Sequence, residues 1–132
     1  MWRGKRATKY GNTKVHADGR TFDSKHEYWH YLYLKDLEKK GEIRDLRLQV
    51  PFELVPEIKE TYVKHFVRKP DEVKERTVQE AVNYIADFVY TDTKTGKEIV
   101  VDAKSDATKK DKVYILKKKM MRAFKGIEII EV

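Results

Sequence analysis

The sequence predicts a mixed α+β fold in which a helix, three strands, a second helix and a last strand build one domain around a mixed sheet. Three observations predict it. A capping signature at Ser24 opens a helix that stops at Gly41. Two short apolar strands follow, joined by turn residues at 91–96, and each carries an aspartate. A helical repeat then ends at Gly126, ahead of a final apolar run.

Residues 1–20 read as a basic N-terminal arm, because Trp2 through Lys14 show no periodicity. Ser24-Lys25-His26-Glu27 is a capping box with Ser24 at N-cap and Glu27 at N3. The helix it opens runs through Tyr28, Tyr31, Leu32, Leu34 and Leu37, and Glu27 projects from a face that turns partly inward. Ile43 to Leu54 reads as a strand ended by Pro56. Residues 57–80 are expected to form a projecting hairpin turning at Lys69-Pro70-Asp71, with a short helix over 75–82 as the competing reading. Tyr84–Tyr90 and Ile99–Lys104 form the next two strands. In the second helix Val113, Leu116, Met120 and Phe124 repeat at helical spacing and are expected to face the core, while Lys112, Lys118, Lys119 and Arg122 face elsewhere. Ile127–Val132 is the last strand.

Composition narrows the function classes. The chain is 40% hydrophobic and 39% charged, as in a soluble globular domain with a solvated surface. It has no cysteine, which excludes disulfides and thiolate metal sites. No apolar stretch approaches the roughly 18 residues of a membrane span, and the basic N-terminus lacks the apolar segment of a secretory signal, so a cytoplasmic setting is expected. The net charge of +7 is unevenly spread. Residues 1–20 hold six Lys/Arg against one Asp, and residues 104–125 hold nine against two, so the remainder is acidic. Two concentrated basic segments suit contact with a polyanion, although a Lys-rich helix face is often only solvated.

The chemistry lies in the two aspartates. Asp87 interrupts Tyr84-Ile85-Ala86-Asp87-Phe88-Val89-Tyr90, and Asp102 ends Ile99-Val100-Val101-Asp102. Strand side chains alternate, so Asp102 and Lys104 share one face while Val101 and Ala103 share the other. An unpaired carboxylate buried there costs several kcal/mol. Two Asp and a Lys converging on a divalent cation, with a phosphate nearby, would relieve that cost. Hard oxygen ligands without Cys favour Mg²⁺ or Mn²⁺ over zinc.

Asp87, fourteen residues, then Asp102-Ala103-Lys104 resembles the signature of the PD-(D/E)xK nuclease superfamily. Lys9-Tyr10-Gly11-Asn12, Phe22-Asp23-Ser24-Lys25 with Glu27, Leu37-Glu38 with Gly41-Glu42-Ile43, Leu48-Gln49 and Glu131-Val132 extend the likeness to a family of small phage-encoded proteins placed in that superfamily. The resemblance implies a restriction-endonuclease-like core and a metal-dependent DNA endonuclease in the host cytoplasm, acting on duplex or branched DNA. It implies that Asp87, Asp102 and the Ala103 carbonyl hold Mg²⁺ or Mn²⁺, that Glu27 serves as a further ligand or as a water-orienting base, and that Lys104 orients the attacking water or hydroxide and offsets charge on phosphorus. Gln49 stands at a recurring position to which the likeness attaches no role. Arg3, Lys5, Arg6 and Lys9 in the arm and Lys117, Lys118 and Lys119 in the second helix would follow the nucleic-acid backbone. Two cuts on one junction or duplex would suit a homodimer.

Competing explanations accompany these residues. Glu27 can serve only its capping box, the two Asp and Lys104 can form a structural ion cluster, and Lys104 can simply snorkel from a strand end. A nucleic-acid-binding protein on a nuclease fold that no longer cuts is a second class. A third is a zinc protease, because His26-Glu27-Tyr28-Trp29-His30 is a literal H-E-x-x-H on a helix. That reading lacks a third ligand motif and leaves Asp87, Asp102 and Lys104 unexplained.

Overall fold

A computed structural model describes residues 13–132. Its elements in chain order are β1 (Val15–Ala17), β2 (Arg20–Phe22), α1 (Lys25–Lys39), β3 (Ile43–Val55), β4 (Ile58–Lys64), β5 (Glu72–Gln79), β6 (Val82–Asp92), β7 (Glu98–Asp102), α2 (Asp106–Lys109), α3 (Lys112–Lys125) and β8 (Ile129–Glu131). The central sheet runs β3-β6-β7-β8, antiparallel except for the parallel pair β7-β8. It is a mixed α+β fold, and the elements of the central layer, α1, β3, β6, β7, α3 and β8, keep the helix, three strands, helix, strand order that the sequence predicts, with the β1–β2 and β4–β5 hairpins and the short α2 added to it.

The expected basic arm ends earlier than residue 20. Asp18 and Gly19 both adopt positive φ, 53° and 68°, and close a two-residue hairpin between β1 and β2. That hairpin buries Phe22 against α1, with Val15 and Ala17 packed beside it. The Asp-Gly pair is the sequence signal for such a turn.

The ends of α1 obey their capping residues. Ser24 Oγ accepts from Glu27 N at 3.1 Å. At the other end Glu42 N donates to Leu37 O and Gly41 N to Glu38 O, with Gly41 at φ 77°, a full Schellman stop. α3 is capped by Asp111, which accepts from Val113 N and Tyr114 N, and it ends on Gly126 at φ 64°.

Two cores flank the sheet. Phe22, Tyr31, Leu34, Ile43, Phe88 and Val101 pack on the α1 side. Leu54, Tyr84, Ala86, Val89, Val100, Tyr114, Met121 and Ile129 pack on the α3 side.

The orientation of α3 corrects the sequence reading. Val113, Leu116 and Phe124 are 62%, 53% and 63% exposed, and only Met120 of the expected stripe packs inward, partly. The buried positions are Tyr114 and Met121. A polar anchor outweighs the apolar stripe here. Lys118 and Tyr114 both donate to Glu131 of β8, and that contact turns their face of the helix inward.

The projecting hairpin expected over 57–80 is formed by β4 and β5, and the competing helix is absent. Every residue of β4 is exposed, so this ribbon contributes no core. Replacing residues 56–81 with Asn-Gly, which joins the paired residues Val55 and Val82, should shift the melting temperature by only a few degrees. Met121→Ala, in contrast, should cost about 2–5 kcal/mol in a chemical-denaturation series.

Candidate active site

The site lies where β6 and β7 part. Their pairing ends at Phe88 and Val101, which takes the next backbone N–H groups out of the ladder. Each finds the carboxylate of the opposite strand. Asp87 N donates to Asp102 Oδ1 and Ala103 N donates to Asp87 Oδ2, both at 3.0 Å. The splay also opens the space that Lys104 fills. Its Nζ stands 3.7 Å from Asp87 Oδ2 and 3.7 Å from Asp102 Oδ1. Asp102 and Lys104 thus share a side, while Val101 and Ala103 belong to the α1-side core.

Glu27 comes from the first turn of α1. Its Oε2 accepts from Asp23 N at 3.2 Å, so the capping box closes one residue earlier than the pattern implies. Its Oε1 accepts from Gln49 Nε2 at 3.1 Å, and the same amide reaches Asp87 Oδ1 at 3.3 Å. Gln49 achieves this with a positive φ of 53° in the middle of β3, a left-handed conformation that a side chain disfavours by about 1–2 kcal/mol. It lies opposite Asp87, between the pairs Leu48–Phe88 and Val50–Ala86. The alternation of β6 breaks at that point, since Tyr84 and Ala86 pack on the α3 side and Phe88 on the α1 side.

Asp102 is completely buried, and Glu27 and Asp87 are 3% and 5% exposed. Tyr84 Oη donates to Asp102 Oδ2. Burial, and then Asp102, push the Tyr84 phenol above its ordinary range, so it remains a donor. Three carboxylates therefore face one ammonium in a dry place. Burial, then Asp87, push the Glu27 carboxyl up to about 7. The same two causes push Asp102 up, against the pull of Lys104 and Tyr84. Three buried oxygen donors, two of them with carboxyls pushed up by burial and then by Asp87, fit a hard divalent cation. Among the described residues no three His, Asp or Glu already stand at metal-holding spacing, and Lys104 occupies the gap between the aspartates.

Of the residues predicted from sequence, Asp87, Asp102 and Lys104 come together, and Glu27 joins them through Gln49. Arg3, Lys5, Arg6 and Lys9 lie outside the described residues. In the Lys117–Lys119 run, Lys118 is ion-paired to Glu131 and half-buried. Sequence reasoning missed Tyr84 and marked Gln49 only as a recurring position without a role. Tyr84 sits on the same strand as Asp87, and nothing marks it apart from other core aromatics. Gln49 carries no local signal, because its conformation comes from the tertiary fold. The H-E-x-x-H residues diverge: His26 Nε2 is 2.6 Å from Val132 O, Glu27 faces Gln49, and His30 packs against Phe88 with its Nε2 buried and without a hydrogen-bond partner among the described residues.

Residues 7–130 match the family described as "Protein of unknown function (DUF1064)". No curated protein and no solved structure matches the chain.

The raised carboxyls set a sign for stability. Their folded-state pKa lies above the unfolded value, so the native state binds more protons in between, and stability falls as pH rises from about 4.5 through about 7. Without added metal, the melting temperature should therefore decline between pH 5 and pH 8. Glu27→Gln should flatten that decline, as measured by differential scanning fluorimetry.

Proposed function

We propose that this chain, which belongs to the family described as protein of unknown function (DUF1064), is a metal-dependent endonuclease of the PD-(D/E)xK type that hydrolyses DNA phosphodiester bonds. The observation that carries the reading is the placement of one ammonium, Lys104, 3.7 Å from each of two buried carboxylates on neighbouring strands. An ion cluster serving only stability would be costly, since well-packed apolar residues generally do as well as a buried ion pair.

Asp87 and Asp102 would hold Mg²⁺ or Mn²⁺, with Glu27 and the Ala103 carbonyl as further donors. The cation, when bound, supplies activation of water at neutral pH and neutralises charge on the scissile phosphate. The residues of the chain do the rest. Lys104, relieved of pairing two carboxylates, offers its ammonium to the phosphoryl oxygens and orients the incoming water. Glu27, where it does not itself hold the cation, would orient that water and take up its proton from its place beside Gln49 and Asp87. Gln49 holds Glu27 and Asp87 in one arrangement. No nucleophilic side chain is required, so hydrolysis is direct. The Lys-rich surface of α3 and the basic N-terminal residues bind the backbone, and branched DNA is the preferred substrate.

Among the described residues no helix is long and apolar enough to cross a membrane. A cytoplasmic, phage-encoded protein working as a homodimer completes the proposal. Sedimentation showing an active monomer alone would remove the dimer. The protease reading is less well supported, because Glu27, its would-be base, is bonded to Gln49 and Asp23.

The test incubates labelled linear, nicked and four-way-junction DNA with Mg²⁺, Mn²⁺ or Zn²⁺. Wild type should cut in Mg²⁺ or Mn²⁺. Asp102→Asn and Lys104→Ala should each lose about 10²-fold or more, and His30→Ala should stay close to wild type. DNA that is shifted in gels yet intact with every metal would replace the nuclease by a non-cutting binder. Zinc held tightly and released by His30→Ala would favour the protease.

A further inference from the structure

A second concave site adjoins the carboxylates. A cavity of about 460 Å³ is lined by Lys109 from α2, Tyr114, Lys118, Lys119 and Arg122 from α3, and Glu131 from β8. Tyr114 is the shared wall, because Lys104 Nζ lies 5.6 Å from the centre of its ring. The volume falls within the roughly 300–1,000 Å³ typical of small-ligand sites.

The cations are not equivalent. Lys118 and the Tyr114 hydroxyl both donate to Glu131, which neutralises the one carboxylate in the cavity. Arg122 is engaged with Glu128 at 3.1 Å. The ammonium groups of Lys109 and Lys119 make no ion pair or hydrogen bond with any described residue, although the charge of Lys109 acts on Glu131 from a distance. Two ammonium groups without a hydrogen-bonded partner therefore stand at the cavity, whose remaining lining includes Ile115 and Ala123. A lining that combines cations with an aromatic ring and aliphatic carbon matches a phosphate joined to a flat base.

We infer that this cavity receives one nucleotide of the bound strand, extruded from the stack beside the scissile phosphate. Lys109 and Lys119 hold its phosphate, and Tyr114, Ile115 and Ala123 contact its base. The inference deepens the endonuclease reading and rests on it for the identity of the strand. Extrusion costs a few kcal/mol in a paired duplex and less where pairing is already broken, so the cavity selects for junctions and gaps.

The experiment uses metal-free protein and DNA in which 2-aminopurine replaces each base in turn along one junction arm. Wild type should raise the fluorescence severalfold at one position. Ala123→Trp, at an exposed helix position, fills the cavity and should abolish the rise. The Lys109→Ala/Lys119→Ala double variant, also at exposed positions, should weaken binding about tenfold and lower the rise. A fluorescence map unchanged by both variants would overturn the inference, whether or not wild type cuts. A rise abolished by Ala123→Trp in a protein that cuts in no metal would retain the nucleotide site and remove the nuclease. Strong binding of free dAMP with no rise on any strand would overturn extrusion. So would poly-glutamate competing as well as DNA, since it carries charge without a base.

Discussion

The structure depends on how three carboxylates are kept out of water with a single ammonium among them. At 3.7 Å each Lys104–aspartate attraction is on the order of 4 kcal/mol at an effective dielectric near 20, comparable to the several kcal/mol needed to dehydrate one such ion. One lysine therefore cannot offset three acids. The shortfall is distributed among neutral donors: two backbone N–H groups freed by the parting strands, the Asp23 N–H, the Tyr84 hydroxyl and the Gln49 amide. These hydrogen bonds fix where each carboxylate points, and the remaining imbalance is what leaves room for a further positive charge.

Much of this was legible in the sequence because it rests on local rules. Ser24, Gly41 and Gly126 bound their helices, since capping needs only neighbouring residues. An aspartate within an apolar strand marks its own position, because burial without a partner is so unfavourable. The hairpin over 58–79 follows from its turn residues. What stayed hidden depends on contacts distant in sequence. Gln49 acquires its role from Asp87 and Glu27, and its backbone angle from their demands. The rotation of α3 is set by Glu131, thirteen or more residues away from its partners on the helix, so an apolar periodicity of the right spacing pointed to the wrong face. The Asp18-Gly19 turn is a different case: its signal was local and was outweighed by the basic composition around it.

The β4–β5 ribbon shows how little of the chain the site requires. It extends from strands that carry Gln49 and Asp87, yet its own residues touch neither core. Its charges are largely matched within the ribbon, as in Arg76 with Glu60 and Lys69 with Glu72. The basic surface therefore belongs to α3 and its surroundings rather than to this extension.

Asp87 and Asp102 come from strands shared by both layers, whereas Glu27 rides on α1 and is tied to the sheet through a single amide. A nascent chain with α1 still undocked would own two of the three acids, with no bridging Gln49 contact. The complete constellation exists only after both halves have condensed, so the gathering of three acids around one ammonium is a property of the finished tertiary structure and of neither layer alone.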